Sequence, residues 1–395
     1  MAMSLIVCLC LPTCGWAVAA PAEQPTDVDE EAILARSLVS IGDTARLQHA
    51  LAKARRGQPV VVGVIGGSIT QGASASTEEG RYGNRVAEWW RTRFPGTRVT
   101  FINAGVGATG SDTGAHRAQA HLLDHRPDFV VAEYAVNDPN TEFAAETLEG
   151  LTRQILTQPS QPALMLLFTM NNAGANAQEW HSKVGEHYGL PMVSFRDALW
   201  PEIRDGRMKW EDIEADAVHP NDRGHAYCAQ FICRVLDTVM AGLPDDADLP
   251  PVPPVPAPLI SDVFQHATFY NFDLLTPVVC EGFEAHEAWP FGTGWQAEAA
   301  GSRIEFELEG SAISVSFFRI KGAMGQAEAQ VDDREPVRLE AWFDQDWGGY
   351  SAFQLIARDL GPGKHRLRIR VLDEKAPASE GNRFLIHAIM AAGLR

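Results

Sequence analysis

Between residues 60 and 240 the chain alternates short apolar runs with segments of helical periodicity, and this alternation constrains its fold more than any other feature. The first run, Val60–Ile65, is continuous and rich in β-branched residues, as expected of a strand buried on both faces. Four similar runs follow at residues 99–102, 129–132, 164–168 and 192–194. The segments with helical periodicity lie at residues 84–93, 114–124, 144–157, 176–188 and 223–240. The alternation predicts an α/β fold in which a parallel sheet has helices on both faces.

The composition changes after this region. From Pro244 to Pro258 there are seven prolines in fifteen residues, a segment that favours an extended polyproline conformation and predicts a semi-rigid spacer. Beyond it, apolar and polar residues alternate at 304–308, 313–317 and 365–371, with glycine-containing turns between the runs. This is the pattern of half-buried antiparallel strands, so we predict a β-sandwich or jelly roll.

The N-terminus has the features of an export signal. The first 20 residues carry no charged side chain, and the apolar run at 5–14 is followed by Ala17-Val18-Ala19, an A-x-A cleavage pattern. Although the usual Lys or Arg near the start is missing, this predicts a signal peptide over residues 1–19 and a secreted or periplasmic protein; a buried N-terminal helix is the alternative. No later run reaches the roughly 18 apolar residues that a membrane span needs.

The chain is therefore predicted to consist of a signal peptide at 1–19, an α/β domain at 31–242, a Pro-rich linker at 243–258 and a β-sandwich domain at 259–395. It has 33 Lys plus Arg against 51 Asp plus Glu, which gives a formal charge of −18. This excess argues against a nucleic-acid partner, which usually requires a basic surface. It argues more weakly against an anionic polymer or an anionic membrane surface.

Cysteine usage gives no further constraint. Cys228, Cys233 and Cys280 remain after the predicted signal peptide, and an odd number predicts no disulfide framework. Cys228 and Cys233 lie five residues apart in one predicted helix, which is too far along the helix for a disulfide.

A candidate nucleophile follows the first predicted strand. The strand continues into Gly66-Gly67-Ser68-Ile69-Thr70-Gln71-Gly72. Because ligand sites in open parallel sheets lie beyond the carboxyl ends of the strands, Ser68 is placed where a nucleophile is expected. The flanking glycines allow a tight backbone turn, although a serine in a Gly-rich turn is also a common structural feature.

A candidate base precedes the last predicted helix, in Asp216-Ala217-Val218-His219-Pro220. An aspartate three residues before a histidine is able to orient the imidazole while the imidazole takes the proton of a serine. Candidate oxyanion donors follow two other strands: the backbone amides of residues 103–110 and the side-chain amide of Asn137. Each signal is weak alone, but all follow strand ends of one predicted sheet and supply complementary roles.

Four segments, 66–72, 103–110, 135–138 and 216–220, resemble in order and spacing the four sequence blocks of SGNH (GDSL-type) hydrolases. The resemblance covers about residues 43–240. It implies a three-layer α/β/α, flavodoxin-like fold with Ser68 as nucleophile, His219 as general base and Asp216 orienting it. It also implies an oxyanion hole formed by the Ser68 amide, an amide of the second block and Asn137.

Two positions depart from the family pattern. Gly67 stands where the family has Asp, but a carboxylate before the nucleophile has no necessary role in the triad. Ala108 stands where the family usually has the oxyanion glycine. Alanine keeps its N–H but resists the positive φ that glycine adopts freely, so the donor is either Ala108 or a neighbouring amide such as that of Gly107.

Other motifs fit less well. Thr70 takes the place of the second glycine of a G-x-S-x-G elbow, and Ala73 replaces the lysine of a P-loop. His121 and His125 lie four apart on a predicted helix and could hold a metal, but without a third ligand motif a solvated helix face is the better interpretation. We interpret Glu133 and Asp138, which flank Asn137, as buried supporting or turn groups.

The expected reaction is ester hydrolysis through an acyl-enzyme, which needs no metal or organic cofactor. Export, an attached β-sandwich and an acidic surface suit an O-deacetylase whose partner is an acetylated oligosaccharide or polysaccharide; this substrate class rests on analogy with exported two-domain family members. Trp342, Trp347 and Tyr350 are candidate sugar contacts, although aromatic residues that fill the sandwich core or its contact with the first domain are the plainer interpretation.

Two alternatives remain from the sequence. A lysophospholipase or general short-chain esterase would need a broad apolar acyl pocket, and no amphipathic lid segment is present to make one. A non-catalytic glycan-binding protein on a degenerate hydrolase scaffold is disfavoured by the intact Ser68, Asp216, His219 and Asn137, while Ala108 keeps it open.

Overall fold

The computed structural model describes residues 28–393. The predicted signal peptide at 1–19 lies outside the described residues. Within residues 28–393 no helix is both long enough and apolar enough to cross a membrane. The three cysteines of this part of the chain are all unpaired.

The first part of the chain is built on one six-stranded sheet with the strand order β1-β6-β5-β4-β2-β3. All five strands predicted from the apolar runs are present and parallel, whereas the short edge strand β1, which was not predicted, runs antiparallel to β6. The strands are β1 Leu38–Ser40, β2 Val60–Gly66, β3 Val99–Gly105, β4 Phe129–Glu133, β5 Ala163–Phe168 and β6 Met192–Ser194.

Helices cover both faces of this sheet, as predicted. One face packs against α1, α2, α4, α8 and α9, and the other against α5, α6 and α7, so each face has its own apolar core. The nine helices found within residues 28–393 are α1 Glu30–Ser37, α2 Ala45–Arg55, α3 Ser68–Gln71, α4 Tyr82–Arg93, α5 Ser111–His121, α6 Glu142–Leu156, α7 Gln178–His187, α8 Phe195–Arg204 and α9 Asp222–Ala241. This is the predicted three-layer α/β/α arrangement.

The second part consists of antiparallel strands in two sheets, as the alternating pattern predicted. One sheet has the order β15-β12-β17-β10-β9 with β7 paired to β17, and the other has the order β14-β13-β16-β11-β8. Apolar side chains of both sheets form one core between them. The strands are β7 Thr268–Tyr270, β8 Val279–Glu281, β9 Phe283–Glu287, β10 Thr293–Ala297, β11 Arg303–Glu309, β12 Ala312–Arg319, β13 Gln326–Val331, β14 Val337–Glu340, β15 Tyr350–Ala357, β16 Lys364–Val371 and β17 Phe384–Ala392.

The proline-rich segment does not separate the two parts as a spacer. Side chains of the first part donate hydrogen bonds to its backbone carbonyls along its length: Arg46 to Pro253, His49 to Pro250, Arg153 to Pro256 and His187 to Ala257. Beyond it, the buried carboxylate of Glu149 accepts the N–H groups of residues 259–261. The prediction of a spacer is therefore wrong: the segment is a strap fixed along the surface of the first part.

The two parts share a continuous apolar contact. Phe264, just after the strap, packs between α5 and α6, where its ring centroid lies 5.7 Å from that of His116 and 5.8 Å from that of Phe143. Gly150 on α6 permits this approach, since a Cβ there would collide with Phe264. Arg358 of the sandwich also lies 3.4 Å from the buried carboxylate of Glu146 on α6. The sandwich is therefore held against the two helices that follow β3 and β4.

Candidate active site

Ser68 lies at the carboxyl end of strand β2, as predicted, and is the first residue of α3. The glycines before it are required by close packing rather than by a left-handed turn. A Cβ on Gly67 would collide with the side-chain oxygen of Asn137, and one on Gly66 would collide with the carbonyl oxygen of Glu133. The N-terminal turn of α3 is therefore pressed against the end of β4, which brings Asn137 beside Ser68.

His219 and Asp216 are in hydrogen-bonding distance of each other and of Ser68. The Nε2 atom of His219 lies 2.8 Å from Oγ of Ser68, and its Nδ1 atom lies 2.7 Å from Oδ2 of Asp216. Because a carboxylate only accepts, Nδ1 carries the proton and Nε2 presents a lone pair to the serine hydroxyl. The serine, histidine and aspartate that the sequence singled out are thus brought together in one line of hydrogen bonds.

Local backbone bonds fix the carboxylate of Asp216. Its Oδ1 atom accepts the N–H groups of Val218 at 2.8 Å and His219 at 2.9 Å, so the loop closes on its own aspartate. Partial burial raises the pKa of Asp216, but the hydrogen bonds from the His219 side chain and from these two amides outweigh it and hold the pKa below its ordinary value. The carboxylate is therefore ionised at neutral pH.

The loop after β3 lies next to the nucleophile. A Cβ built on Gly107 would be 3.8 Å from Cβ of Ser68, so this backbone passes directly beside the serine. Ala108 adopts φ +54°, the left-handed conformation that alanine resists at a cost of about 1–2 kcal/mol. The alanine therefore takes the backbone geometry expected of the glycine that the family usually has there.

Buried charged groups hold this loop and the end of β4 together. Asp138 accepts the N–H of Ser111 at 2.8 Å, and its other oxygen lies 3.1 Å from Nε2 of His181 on α7. Glu133 accepts the Thr169 hydroxyl at 2.6 Å, and burial raises its pKa to about 7. Asp138 and Glu133 were interpreted as buried supporting groups, and both are buried in the structure.

Two other supporting residues were missed by the sequence analysis. His181 carries no motif, and the buried Arg117 donates to the carbonyl oxygens of Gly66 at 3.0 Å and Ala104 at 2.6 Å. Arg117 thereby fixes the ends of β2 and β3, the two strands that lead into the site. Its position in the middle of a helix gave no local signal, because its partners lie on other elements.

Comparison with known proteins shows the family of the chain. The sequence model of the GDSL-like lipase/acylhydrolase family matches residues 64–227. A two-domain esterase (CEX) active on acetylated mannans, crystallised with mannopentaose, is 33% identical, with 92% of this chain and 98% of that chain covered and a TM-score of 0.84. The chain belongs to this acylhydrolase family.

Two further comparisons agree with this assignment. The same two-domain esterase in a second crystal structure is 34% identical, with a TM-score of 0.84 and with 92% of this chain and 99% of that chain covered. Thioesterase 1/protease 1/lysophospholipase L1 of Escherichia coli (strain K12) is 24% identical over 152 residues, which are 36% of this chain and 70% of that protein. The family assignment and the ester-hydrolase class predicted from the sequence are therefore confirmed.

The aromatic residues predicted as sugar contacts fall into two environments in this acylhydrolase. Trp342 packs against the sandwich core. Trp347 is 60% exposed and lies against Phe343 and Tyr350, with ring centroids 5.2 Å and 5.8 Å away. Arg319 covers the Phe343 ring and donates to the Tyr350 hydroxyl at 2.8 Å. We call Phe343, Trp347 and Tyr350 the aromatic cluster.

The two histidines considered as metal ligands, His121 and His125, lie in different environments. His125 is exposed, while His121 stacks on Phe291 of the sandwich with centroids 6.1 Å apart, so the interpretation as a solvated helix face is wrong for His121. Burial and the positive charge of Arg117 lower the pKa of His121 to about 4. No group of three His, Cys, Asp or Glu side chains within residues 28–393 is arranged to hold a metal ion.

Glu214 is a buried acid that the sequence analysis did not single out. It is 3% exposed, neither of its carboxyl oxygens has a hydrogen-bond partner, and residue 214 forms a β-bridge with Pro220 across the loop that carries His219. Burial, with a contribution from the negative charge of Asp216, raises its pKa to about 9. The acid is therefore neutral in the folded protein at neutral pH.

This predicts a pH-dependent stability. The unfolded chain releases the Glu214 proton near pH 4.5, whereas the folded chain keeps it to about pH 9, so the free energy of unfolding falls as the pH rises between these values. We expect Glu214→Gln to raise the free energy of unfolding at pH 8 by about 1–3 kcal/mol and to have little effect at pH 4. Urea unfolding at both pH values checks this, with the exposed Glu211→Gln as control. An equal effect of Glu214→Gln at both pH values would contradict it.

Proposed function

We propose that the chain is a serine esterase that removes O-acetyl groups from carbohydrate through an acyl-enzyme on Ser68. His219 acts as general base and Asp216 orients it. The observation that carries this proposal is the continuous line of hydrogen bonds from Ser68 Oγ to His219 at 2.8 Å and from His219 to Asp216 at 2.7 Å. Distances of this size suit proton transfer from a nucleophile to a general base.

The reaction runs in two halves. Oγ of Ser68 attacks the acetyl carbonyl while Nε2 of His219 takes the hydroxyl proton, and the resulting imidazolium gives that proton to the departing sugar oxygen. Water then attacks the acetyl-serine with His219 again as base, and acetate leaves as Ser68 regains its proton. Asp216 keeps Nδ1 protonated and stabilises the imidazolium in both halves.

The oxyanion that forms in each half is assigned to three donors. These are the amide of Ser68 at the N-terminus of α3, an amide of the loop at Gly107 or Ala108, and the side-chain amide of Asn137. The close approach of the Asn137 side chain to Gly67 supports this assignment, because it places the carboxamide next to the nucleophile.

This assignment makes Asn137 testable. Removing one side-chain oxyanion donor usually costs about 10²–10³-fold in kcat. We expect Asn137→Ala to lower kcat for an acetyl ester by this factor while KM changes little, because the lost bond strengthens only in the transition state. Steady-state kinetics check it, with the exposed Asn140→Ala as matched control. A variant with wild-type kcat would exclude Asn137 as a donor.

Two observations support a carbohydrate ester as the substrate. The 33%-identical two-domain esterase is active on acetylated mannans, and it matches this chain across both parts. The sandwich also carries the aromatic cluster, in which Trp347 is 60% exposed.

We accordingly propose Trp347 and Tyr350 as sugar contacts, since exposed aromatic rings offer apolar faces to sugar rings. Trp342 belongs to the packing of the sandwich and is less suited to this role. The formal charge of −18 favours a neutral glycan over a uronate-rich one. Export, which the residues at 1–19 predict, suits a polysaccharide substrate outside the cell.

A second candidate function comes from the E. coli relative, which is named as a thioesterase and lysophospholipase. A panel of substrates separates the two functions: 4-nitrophenyl acetate, butyrate and octanoate, together with acetylated glucomannan and acetylated xylan. Carbohydrate deacetylation predicts acetate release from at least one polymer and a preference for acetyl over octanoyl esters. A preference for octanoyl with no acetate release from either polymer would favour the lipid function, and binding without turnover would favour a glycan-binding protein.

A further inference from the structure

A groove of about 420 Å³ lies at the seam between the two parts of the chain. One wall is formed by α5 and α6 and the other by residues 265–274, which lead into and follow β7. We call it the seam groove. None of Ser68, Asn137, Asp216 or His219 lines it. Gln119, on its wall, is eight residues beyond the start of α5, which is about 12 Å along the helix from the loop beside Ser68.

The floor of the seam groove contains a buried hydrogen-bond acceptor. His116 is 3% exposed, and its ring lies between Phe264 and Phe353, with centroids 5.7 Å and 5.9 Å away. Nδ1 donates to the carbonyl oxygen of Asp112 at 2.7 Å, so Nε2 is the unprotonated atom. Burial lowers the pKa of this histidine to about 4, which keeps the ring neutral. The hydrogen bond through Nδ1 is the one found for the His116 ring within residues 28–393.

The walls supply further hydrogen-bonding groups that are only partly used. Oε1 of Gln265 accepts from Arg153 at 2.6 Å, which leaves its amide N–H groups as donors. The amide of Gln119 donates to Asp124 at 2.6 Å, which leaves its own Oε1 as an acceptor. Gln158 adds a third carboxamide to the wall. Donors and acceptors therefore face the same space.

Apolar side chains also line the seam groove, but lysine and arginine side chains do not. Phe269 and the 65% exposed Leu274 line the groove, whereas the residues that line it include no Lys or Arg. An anionic ligand such as a phosphate usually requires such a cation. Carboxamides, a neutral imidazole and apolar faces instead suit a neutral ligand that carries many hydroxyl groups. The volume is within the range of small-molecule sites.

We propose that the seam groove is a second carbohydrate-binding site, which holds a neutral stretch of glycan away from Ser68. The class of ligand rests on the proposed function, while the site itself rests on the lining described above. A polysaccharide bound at the groove would stay near the active site between turnovers. Its acetyl esters would then be present at a raised effective concentration.

The substitution Ala120→Trp tests this proposal. Ala120 is exposed on α5 and lines the groove, so a tryptophan there fills the space without removing an existing contact. Ala241→Trp is the matched control, because Ala241 is also an exposed helical alanine and lies at the far end of α9. Gln158→Ala is a second variant that removes a hydrogen-bonding group instead of adding bulk.

Affinity electrophoresis in gels containing deacetylated glucomannan measures binding, with Ser68→Ala as the common background. We expect Ala120→Trp to raise the dissociation constant at least about fivefold, Gln158→Ala to raise it less, and Ala241→Trp to leave it unchanged. With Ser68 present, Ala120→Trp should lower kcat/KM for acetylated glucomannan by a similar factor and leave kcat/KM for 4-nitrophenyl acetate unchanged.

Equal retardation of the Ala120→Trp and Ala241→Trp proteins would overturn the proposal, and so would the absence of retardation in the protein with both alanines intact. The proposed function fails by a different result, namely no acetate release from any acetylated polymer by the wild-type chain. Gel retardation that depends on Ala120 would support the second site even then.

Discussion

Replacing Ser68 with alanine is expected to lower kcat for acetyl ester hydrolysis by at least about 10⁴-fold, with little change in KM. The hydroxyl oxygen of Ser68 forms the bond to the acetyl group in the acyl-enzyme. Its hydrogen bond to His219 at 2.8 Å is the path along which the hydroxyl proton leaves in that step. The residual rate would come from the oxyanion donors and from substrate binding, which do not depend on the serine hydroxyl. Steady-state kinetics with 4-nitrophenyl acetate and with an acetylated glucomannan measure the loss.

Ser182→Ala is the matched control, since Ser182 is a partly exposed serine of α7 that is not a member of the triad. The same thermal unfolding midpoint for Ser68→Ala and the wild type would show that the loss is chemical. Ser68→Ala activity within tenfold of the wild type would contradict the mechanism, because no serine nucleophile would then be in use.

Replacing Asp216 with asparagine is expected to lower kcat by about 10³–10⁴-fold. An asparagine amide donates to Nδ1 of His219, which moves the ring proton to Nε2 and removes the lone pair that Ser68 requires. It also removes the negative charge that stabilises the imidazolium. The carboxylate accepts two backbone N–H groups through Oδ1, and the asparagine oxygen is able to accept them in its place, so the loop keeps its conformation.

The control for Asp216→Asn is Asp273→Asn, which replaces an exposed aspartate outside the first part of the chain. The effect on kcat should persist across the pH range in which the wild type is active, since the asparagine does not titrate there. Recovery of wild-type kcat at any pH would contradict a role of Asp216 in fixing the tautomer of His219.

Strands buried on both faces were the elements most readily predicted from the sequence. The runs at 60–65, 129–132, 164–168 and 192–194 are apolar because helices cover both sides of their strands, so their composition alone identifies them. The run at 99–102 lies in the edge strand β3 and is only partly buried. The edge strand at 38–40 is only three residues long and partly exposed, and it leaves no such run. Helix α8 was not predicted either; it contains Pro201, and its start depends on the Ser194 side chain that accepts the N–H of Asp197.

The candidate site was predictable where its chemistry is local in sequence. Asp216 and His219 lie in one short loop that closes on its own carboxylate, and Ser68 follows a continuous apolar strand. Glu214 and His181 gave no signal, since their burial depends on elements distant in sequence. The same reason explains the strap: a proline-rich composition shows that a segment is extended but not what it packs against.

Ala108 shows where local backbone preference is overridden. Alanine disfavours a positive φ. The sequence therefore did not decide whether the loop after β3 adopts the backbone conformation that the family forms with glycine. In the structure the loop is fixed on both sides, by Arg117 at the end of β3 and by Asp138 at the start of α5. These contacts impose φ +54° on Ala108 at a cost that the surrounding packing offsets.

The acyl-enzyme itself is the most direct test of the proposed mechanism. The wild-type chain is mixed with excess 4-nitrophenyl acetate, quenched in acid within the first turnovers and digested for peptide mass spectrometry. The mechanism predicts one added acetyl group on the peptide that contains Ser68, located on Ser68 by fragmentation, and no such group in Ser68→Ala. Acetate release without any acetyl group on Ser68, or with the acetyl group on another side chain, would contradict it.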